Sequence, residues 1–265
     1  MKQPIIKSPD IIKYGYKRLS PGCTSVKDSC SFEFDGWEYM ACTNVKDGGL
    51  IIFRNVNDTY QTFQKLFTGW GMMWAPCVIK KDGQIFIFCS DTDGLIPFWK
   101  TQNIKWFEWI PNQNPSMPKE IKFDSLKGRI DPEIVKIGDT YVMFYVVMDW
   151  NNGEWWDVYY SISTDLLGPY IGEWNISQMV ETGIEEAPHV IGDKLYWSVG
   201  DSEVNSHMRR GDLVSHNDVM NVVEDIDFRI GVVNSDICTH PDSFNGKIRA
   251  TTKIGREFAI IEVLK

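Results

Sequence analysis

Apolar residues along this chain fall in short runs, four to six long, rich in β-branched and aromatic side chains and bounded by turn formers. Such runs predict β-strands. Five tight-turn dipeptides, Asp35-Gly36, Asp82-Gly83, Gly138-Asp139, Gly192-Asp193 and Asn245-Gly246, recur 47 to 56 residues apart. These pairs accept positive φ at little cost and so suit hairpins. Strand candidates flank each turn, among them Ser31–Phe34 before and Trp37–Cys42 after the first, and Glu133–Lys136 before and Thr140–Tyr145 after the third. No comparable stretch carries the i, i+3, i+4, i+7 spacing of an amphipathic helix.

Five units of about 50 residues, each a few antiparallel strands, predict an all-β fold, a five-bladed β-propeller, as a single domain over residues 1–265. One small sheet cannot cover both of its faces, and radial packing of five solves that. Phe258–Val263 reads as the last strand. Whether the segment near Ile11-Ile12 completes a blade stays open, and a β-sandwich with coincidental turns is the alternative fold.

Composition narrows the function. The chain has 27 Lys plus Arg against 36 Asp plus Glu, a formal charge of −9, which argues against gripping nucleic acid or an anionic membrane. No apolar run reaches the ~18–20 residues of a membrane span, and the N-terminus lacks the pattern of a secretory leader. The expectation is a cytoplasmic protein, or a secreted one if a leader has been removed, with six reduced, structural cysteines. Aromatic residues make up 13% of the chain, with 11 Trp, a profile shared by sugar-binding proteins and by β-sheet cores.

In a propeller the innermost strands start around one mouth of a central channel. Counting back from the five turns by seven, seven, seven, six and five residues gives Asp28, Ala75, Asp131, Glu186 and His240. Three acids on three blades would then converge. Carboxylates in a concave, partly buried mouth repel one another, so one stays protonated and another ionised. That is the requirement of general acid–base catalysis, and of inverting glycoside hydrolysis in particular.

These segments resemble the five-bladed glycoside hydrolases of family 43 and their relatives in family 62. Lys27-Asp28-Ser29 is similar to the segment that bears their general base, which implies that role for Asp28. Trp74-Ala75-Pro76 resembles their Trp-Ala-Pro-Asp segment beside the sugar. Arg129-Ile130-Asp131-Pro132 is similar to the element whose Asp tunes and orients the acid. Glu186-Ala187-Pro188-His189 resembles the Glu-Gly-Pro-His segment whose Glu is the general acid, with Glu185 as its rival in this chain. Thr239-His240-Pro241 is similar to the segment of the channel His, beside which the family implies a structural calcium; no cofactor is otherwise required. Ser29, Cys77 and Ala187 depart from the family pattern, which usually has Pro, Asp and Gly there.

The resemblance implies an inverting hydrolase of pentose glycosides, of arabinofuranosidase or xylosidase type, whose partner is a carbohydrate. Trp74, Ala75, His240, Asp93 and Trp150 are the candidate sugar contacts; Trp99, Trp155 and Trp156 are further stacking candidates. Two alternatives remain. One is a phosphorylase like those of family 130, with Arg129, Arg209, Arg210 and Arg249 as its available cations. The other is a propeller that binds glycans without cleaving them. Serine or cysteine nucleophile motifs and a His-Glu-x-x-His zinc motif are absent.

Overall fold

A computed structural model describes residues 11–22, 24–66, 73–91, 94–104, 119–120, 128–148, 156–176, 184–201, 204–216, 219–225 and 227–264. Every regular element among them is a strand. After β1 (Ile12–Arg18), blade I is β2 (Val26–Phe34), β3 (Trp37–Asn44), β4 (Leu50–Val56) and β5 (Thr59–Leu66). Blade II is β6 (Met73–Lys81), β7 (Gln84–Asp91), β8 (Pro97–Thr101) and β9 (Lys119–Glu120). Blade III is β10 (Arg129–Ile137), β11 (Thr140–Met148), β12 (Trp156–Ser163) and β13 (Ile171–Asn175). Blade IV is β14 (Glu185–Ile191), β15 (Lys194–Asp201), β16 (Val204–His216) and β17 (Val219–Glu224), followed by the short β18 (Ile230–Val232). Blade V is β19 (Thr239–Phe244), β20 (Lys247–Ile254) and β21 (Glu257–Leu264), completed by β1.

The fold is therefore a five-bladed β-propeller. Its innermost strands, β2, β6, β10, β14 and β19, each touch the next, and β19 touches β2, so the ring is closed. The segment after Ile11 settles the question of closure. β1 runs antiparallel to β21, with Tyr16 opposite Val263, and parallel to β18, with Lys13 opposite Gly231. Through β18 the outer edges of blades IV and V join into one continuous sheet.

All five turn dipeptides sit at the β2–β3, β6–β7, β10–β11, β14–β15 and β19–β20 hairpins, where Asp35, Asp82, Gly138, Gly192 and Asn245 take positive φ. The core is distributed as five clusters, one in each gap between blades. Strand β11 shows why its apolar run is unbroken. Tyr141, Met143 and Tyr145 pack toward blade II, while Val142 and Phe144 pack toward blade IV. A sheet covered on both faces needs apolar residues at both parities. Trp99 is fully buried between blades I and II, so it is a packing residue and presents no stacking face.

Candidate active site

Each inner strand carries a β-bulge near its start, where one residue adopts a left-handed conformation: Asp28, Ala75, Asp131, Ala187 and His240, with φ of 48–54°. In four of the five a proline follows (Pro76, Pro132, Pro188, Pro241), which needs no N–H partner in the disrupted ladder. A left-handed, non-glycine residue is strained, and persists only where its surroundings fix it.

Here the fixing group is a hydroxyl on the second strand of the preceding blade. The N–H of Asp28 donates to Thr251 (2.8 Å), that of Ala75 to Thr43 (3.0 Å), that of Asp131 to Ser90 (2.7 Å) and that of His240 to Ser198 (2.8 Å). At the fifth junction the corresponding residue on β11 is Val146, opposite Ile130, and it has no hydroxyl. The Ala187 N–H donates instead to Asp131 Oδ2, at 3.2 Å.

This register corrects one sequence inference. The ring position of blade IV is Ala187, not Glu186, so two of the five ring positions are acidic. The distance from ring residue to turn is seven in blades I–III and five in blades IV and V; strand side chains alternate with period two, so a spacing of six has the wrong parity. Glu186 stands one residue earlier, where the other blades have Lys27, Trp74, Ile130 and Thr239.

The three acids nonetheless meet. Asp28, Asp131 and Glu186 are 3–6% exposed, and His240 lies among them. His240 Nε2 is 3.1 Å from Asp28 Oδ1 and 3.8 Å from Asp131 Oδ2. The Thr43 hydroxyl donates to Asp28 Oδ2 at 2.6 Å, leaving Oδ1 with no hydrogen bond. The Thr239 hydroxyl donates to Glu186 Oε1 at 3.1 Å and lies 3.1 Å from His240 Nδ1. Half-buried Lys27 brings its ammonium to 3.9 Å from Asp28 Oδ2. Ala75, Asp131, Ala187 and His240, with their prolines, line a central cavity of about 30 Å³, room for a water or two.

Electrostatics separates the acids. Burial, followed by repulsion from Asp131, pushes the Glu186 carboxyl well above the ordinary range. Burial and then Asp28 raise Asp131 to about 7. Burial lowers His240 to about 4, against the pull of Asp28, so its imidazole is neutral at neutral pH. The elevated pKa of Glu186 favours its protonated form, and beside it Asp28 Oδ1 has no hydrogen bond.

Below the acids lies a second layer that sequence reading missed. Two residues past the ring positions come Cys30, Cys77, Glu133, His189 and Asp242. The first three and Asp242 accept backbone N–H groups of the neighbouring blade, at Val78 (3.2 Å), Ile134 (3.3 Å), Val190 (3.1 Å) and Ser31 (3.1 Å). Cys77, the departure from the family pattern, is thus an inter-blade acceptor with a role like that of Cys30. Ser29 likewise donates its hydroxyl to Asp242 at 3.0 Å. His189 joins three blades, 3.2 Å from Glu133 and 3.9 Å from Asp242. The described cysteines other than these two, Cys42, Cys89 and Cys238, are also free and buried.

Trp74 is half-buried at the mouth, in the place that Glu186 holds in blade IV. Asp93, Trp150 and Trp155 lie outside the described residues, as does the Trp156 side chain. The arginines raised for phosphate capture are engaged elsewhere. Arg129 pairs with Glu173 (2.8 Å), Arg209 with Glu224, Arg210 with Asp225 (2.7 Å) and Arg249 with Glu38 (2.5 Å). Beside His240, the one group of three among the described residues that brings ligand atoms within 4.8 Å of one another is Asp131, Glu186 and His240. One imidazole and two acids supply only part of the six to eight ligands, waters included, that calcium takes.

No family model and no curated protein sequence matches this chain. Solved structures do. A thermostable family-43 glycoside hydrolase is 17% identical, with a TM-score of 0.70, covering 94% of this chain and 93% of that one. The endo-arabinase of Bacteroides thetaiotaomicron is 14% identical with a TM-score of 0.67, covering 94% and 98%. The α-L-arabinofuranosidase of Podospora anserina, solved with cellotriose, is 12% identical with a TM-score of 0.65, covering 97% and 98%. At these identities the likeness is one of fold, and it spans nearly the whole of each chain.

Proposed function

We propose that this chain is an inverting glycoside hydrolase acting on pentose glycosides. One observation carries the reading: an acid kept protonated by burial, Glu186, and a carboxylate with an unbonded oxygen, Asp28, occupy one channel mouth. Asp28 Oδ1 takes a proton from water as the water oxygen bonds to the anomeric carbon. The glycosidic bond breaks, and Glu186 gives its proton to the departing oxygen. Asp131 bonds the Ala187 N–H beside the acid and helps to hold the acid's proton. Trp74 offers a ring face to the sugar at the rim.

The sugar class rests on analogy: the neighbours include an endo-arabinase and an α-L-arabinofuranosidase on the same fold. Two observations weigh against the alternatives. The four candidate arginines are paired with carboxylates, which leaves them poorly placed to capture phosphate. Cys77 and Ala187, the departures that favoured a binding-only propeller, serve the backbone.

The test is a panel of aryl α-L-arabinofuranosides, aryl β-xylosides, arabinan and xylan, with the anomer of the first product read by proton NMR. Release of the inverted anomer, unaffected by added phosphate, supports the proposal. Turnover that requires phosphate would establish the phosphorylase, and tight binding without product the lectin-like reading.

A further inference from the structure

At the hairpin end of blade I, away from the channel mouth, a column of rings runs from the core to the surface. Buried Phe32 stacks on buried Tyr39 with ring centroids 5.4 Å apart, and Tyr39 meets half-buried Phe63 edge-on, also at 5.4 Å. The Arg54 guanidinium lies 5.1 Å from the centroid of Phe63 and 4.7 Å from that of Trp37, within cation–π reach of both. Trp37 closes the column and is 44% exposed. Each member fixes the next, so the indole is held with one face on Arg54 and the remainder toward solvent, and little freedom is lost when a ligand stacks there.

The charge in this column is uncompensated. Arg129, Arg209, Arg210 and Arg249 each pair with a carboxylate. Arg54 has no carboxylate partner among the described residues, and its buried Nε has no acceptor. Lys80 adds a second cation to the same gap: it stands opposite Ile85, a member of the core between blades I and II, and it is exposed and unpaired among the described residues. Neighbouring acids do not answer this charge. Glu33 and Glu38 oppose each other on the other face of the sheet, where Arg249, Tyr60 and Asn55 hold Glu38. Asp35 is exposed in the turn and pairs with neither cation. Two unmatched cations beside an open indole, in a chain of net charge −9, select an anion that also has an apolar face.

Resting on the saccharide partner of the proposed function but not on its hydrolytic chemistry, we propose that Trp37, Arg54 and Lys80 form a second glycan site, for an acidic sugar. The apolar face of a hexuronate ring stacks on the free face of the indole. Its carboxylate meets the edge of the guanidinium and the Lys80 ammonium. A neutral sugar gains the stacking alone. Phe34, which pairs with Trp37, lies six residues of extended strand beyond Asp28, so the site is about 20 Å from the mouth. A polymer held there does not enter the channel. The site anchors the protein to a uronate-bearing polysaccharide while the mouth works on a neighbouring chain.

The experiment titrates the full chain with tetragalacturonate, which contains no pentose, and with its carboxyl-reduced form, by isothermal titration calorimetry. The acidic form should bind about tenfold more tightly, through the charge-assisted contacts that it alone can make. Trp37→Ala should weaken its binding about tenfold. Arg54→Met keeps the length of the stack and removes the charge, so it should erase the preference for the acidic form. Lys80→Gln, at an exposed position, should narrow that preference about threefold. In all three variants kcat/KM on aryl glycosides should stay within about twofold of the parent, since none touches the mouth. No binding of tetragalacturonate, equal binding of the reduced form, or an unchanged affinity in Trp37→Ala would overturn the site; if Arg54→Met does not fold, Lys80→Gln carries the test of charge. The hydrolase reading fails separately, by an absence of turnover on aryl glycosides, arabinan and xylan while tetragalacturonate still binds through Trp37.

Discussion

Asp131 Oδ2 accepts the N–H of Ala187 at 3.2 Å, and this bond stands where the other four blade junctions use a hydroxyl. Val146 occupies the site of Thr43, Ser90, Ser198 and Thr251, so the carboxylate does structural work beside the acid as well as acting on its charge. Asp131→Ala should leave a buried N–H unpaired at a strained residue, destabilising the fold by ~1–3 kcal/mol. Val146→Thr in that background restores the missing acceptor. Thermal melts should recover while kcat does not; recovery of both would mean that Asp131 matters only as a brace.

Asp28→Asn and Glu186→Gln should each lower kcat by roughly 10²–10⁴-fold, the usual worth of a positioned acid or base. Circular dichroism and melting should stay close to those of the parent, since each amide keeps the shape of the acid. Glu185→Gln is the control for the neighbouring acid, and a loss there equal to that of Glu186→Gln would move the assignment.

The alkaline limb of kcat/KM should report Glu186. Activity needs its proton, so the rate falls as pH rises through its elevated pKa. Burial is the first cause of that elevation and Asp131 the second. Asp131→Asn removes the second, so the limb should move to lower pH, whatever the loss in absolute rate. A limb that stays in place would show that Asp131 does not tune the acid.

His189 makes stability depend on pH. Burial alone would lower its pKa, but Glu133 and Asp242 outweigh burial and raise it from 6.5 to about 9. The folded protein therefore binds this proton more tightly than the unfolded chain. The stabilisation is complete below pH 6.5 and is lost as pH rises through 9, on the order of 3 kcal/mol in all. Urea unfolding at pH 6 and pH 9.5 should show the difference, and His189→Gln should abolish most of it.

The turn dipeptides made the blades legible, because local backbone chemistry alone puts a hairpin at each. Asp28 and Asp131 were legible for the same reason, as fixed offsets from those turns. Glu186 came from an offset of six, which has the wrong parity for a ring residue and reaches the position beside it, and from its resemblance to a known segment. Thr43, Ser90, Ser198 and Thr251 were not found, because each serves a residue on another blade. A signal did exist: these positions, with Val146, fall 15 residues after the ring residue in blades I–III and 11 after it in blades IV and V. Reading it requires knowing the ring residue first.

The clasp formed by β1 bears on how the molecule is made. Its partners, β18 and β21, are translated some two hundred residues later, so the wheel stays unlocked on the ribosome until both have emerged. Until then β1 has neither of these partners, and nascent chains crowded on one messenger can pair with one another instead. Slow elongation before β21 has emerged should therefore favour exchanged, interlinked products over closed single wheels.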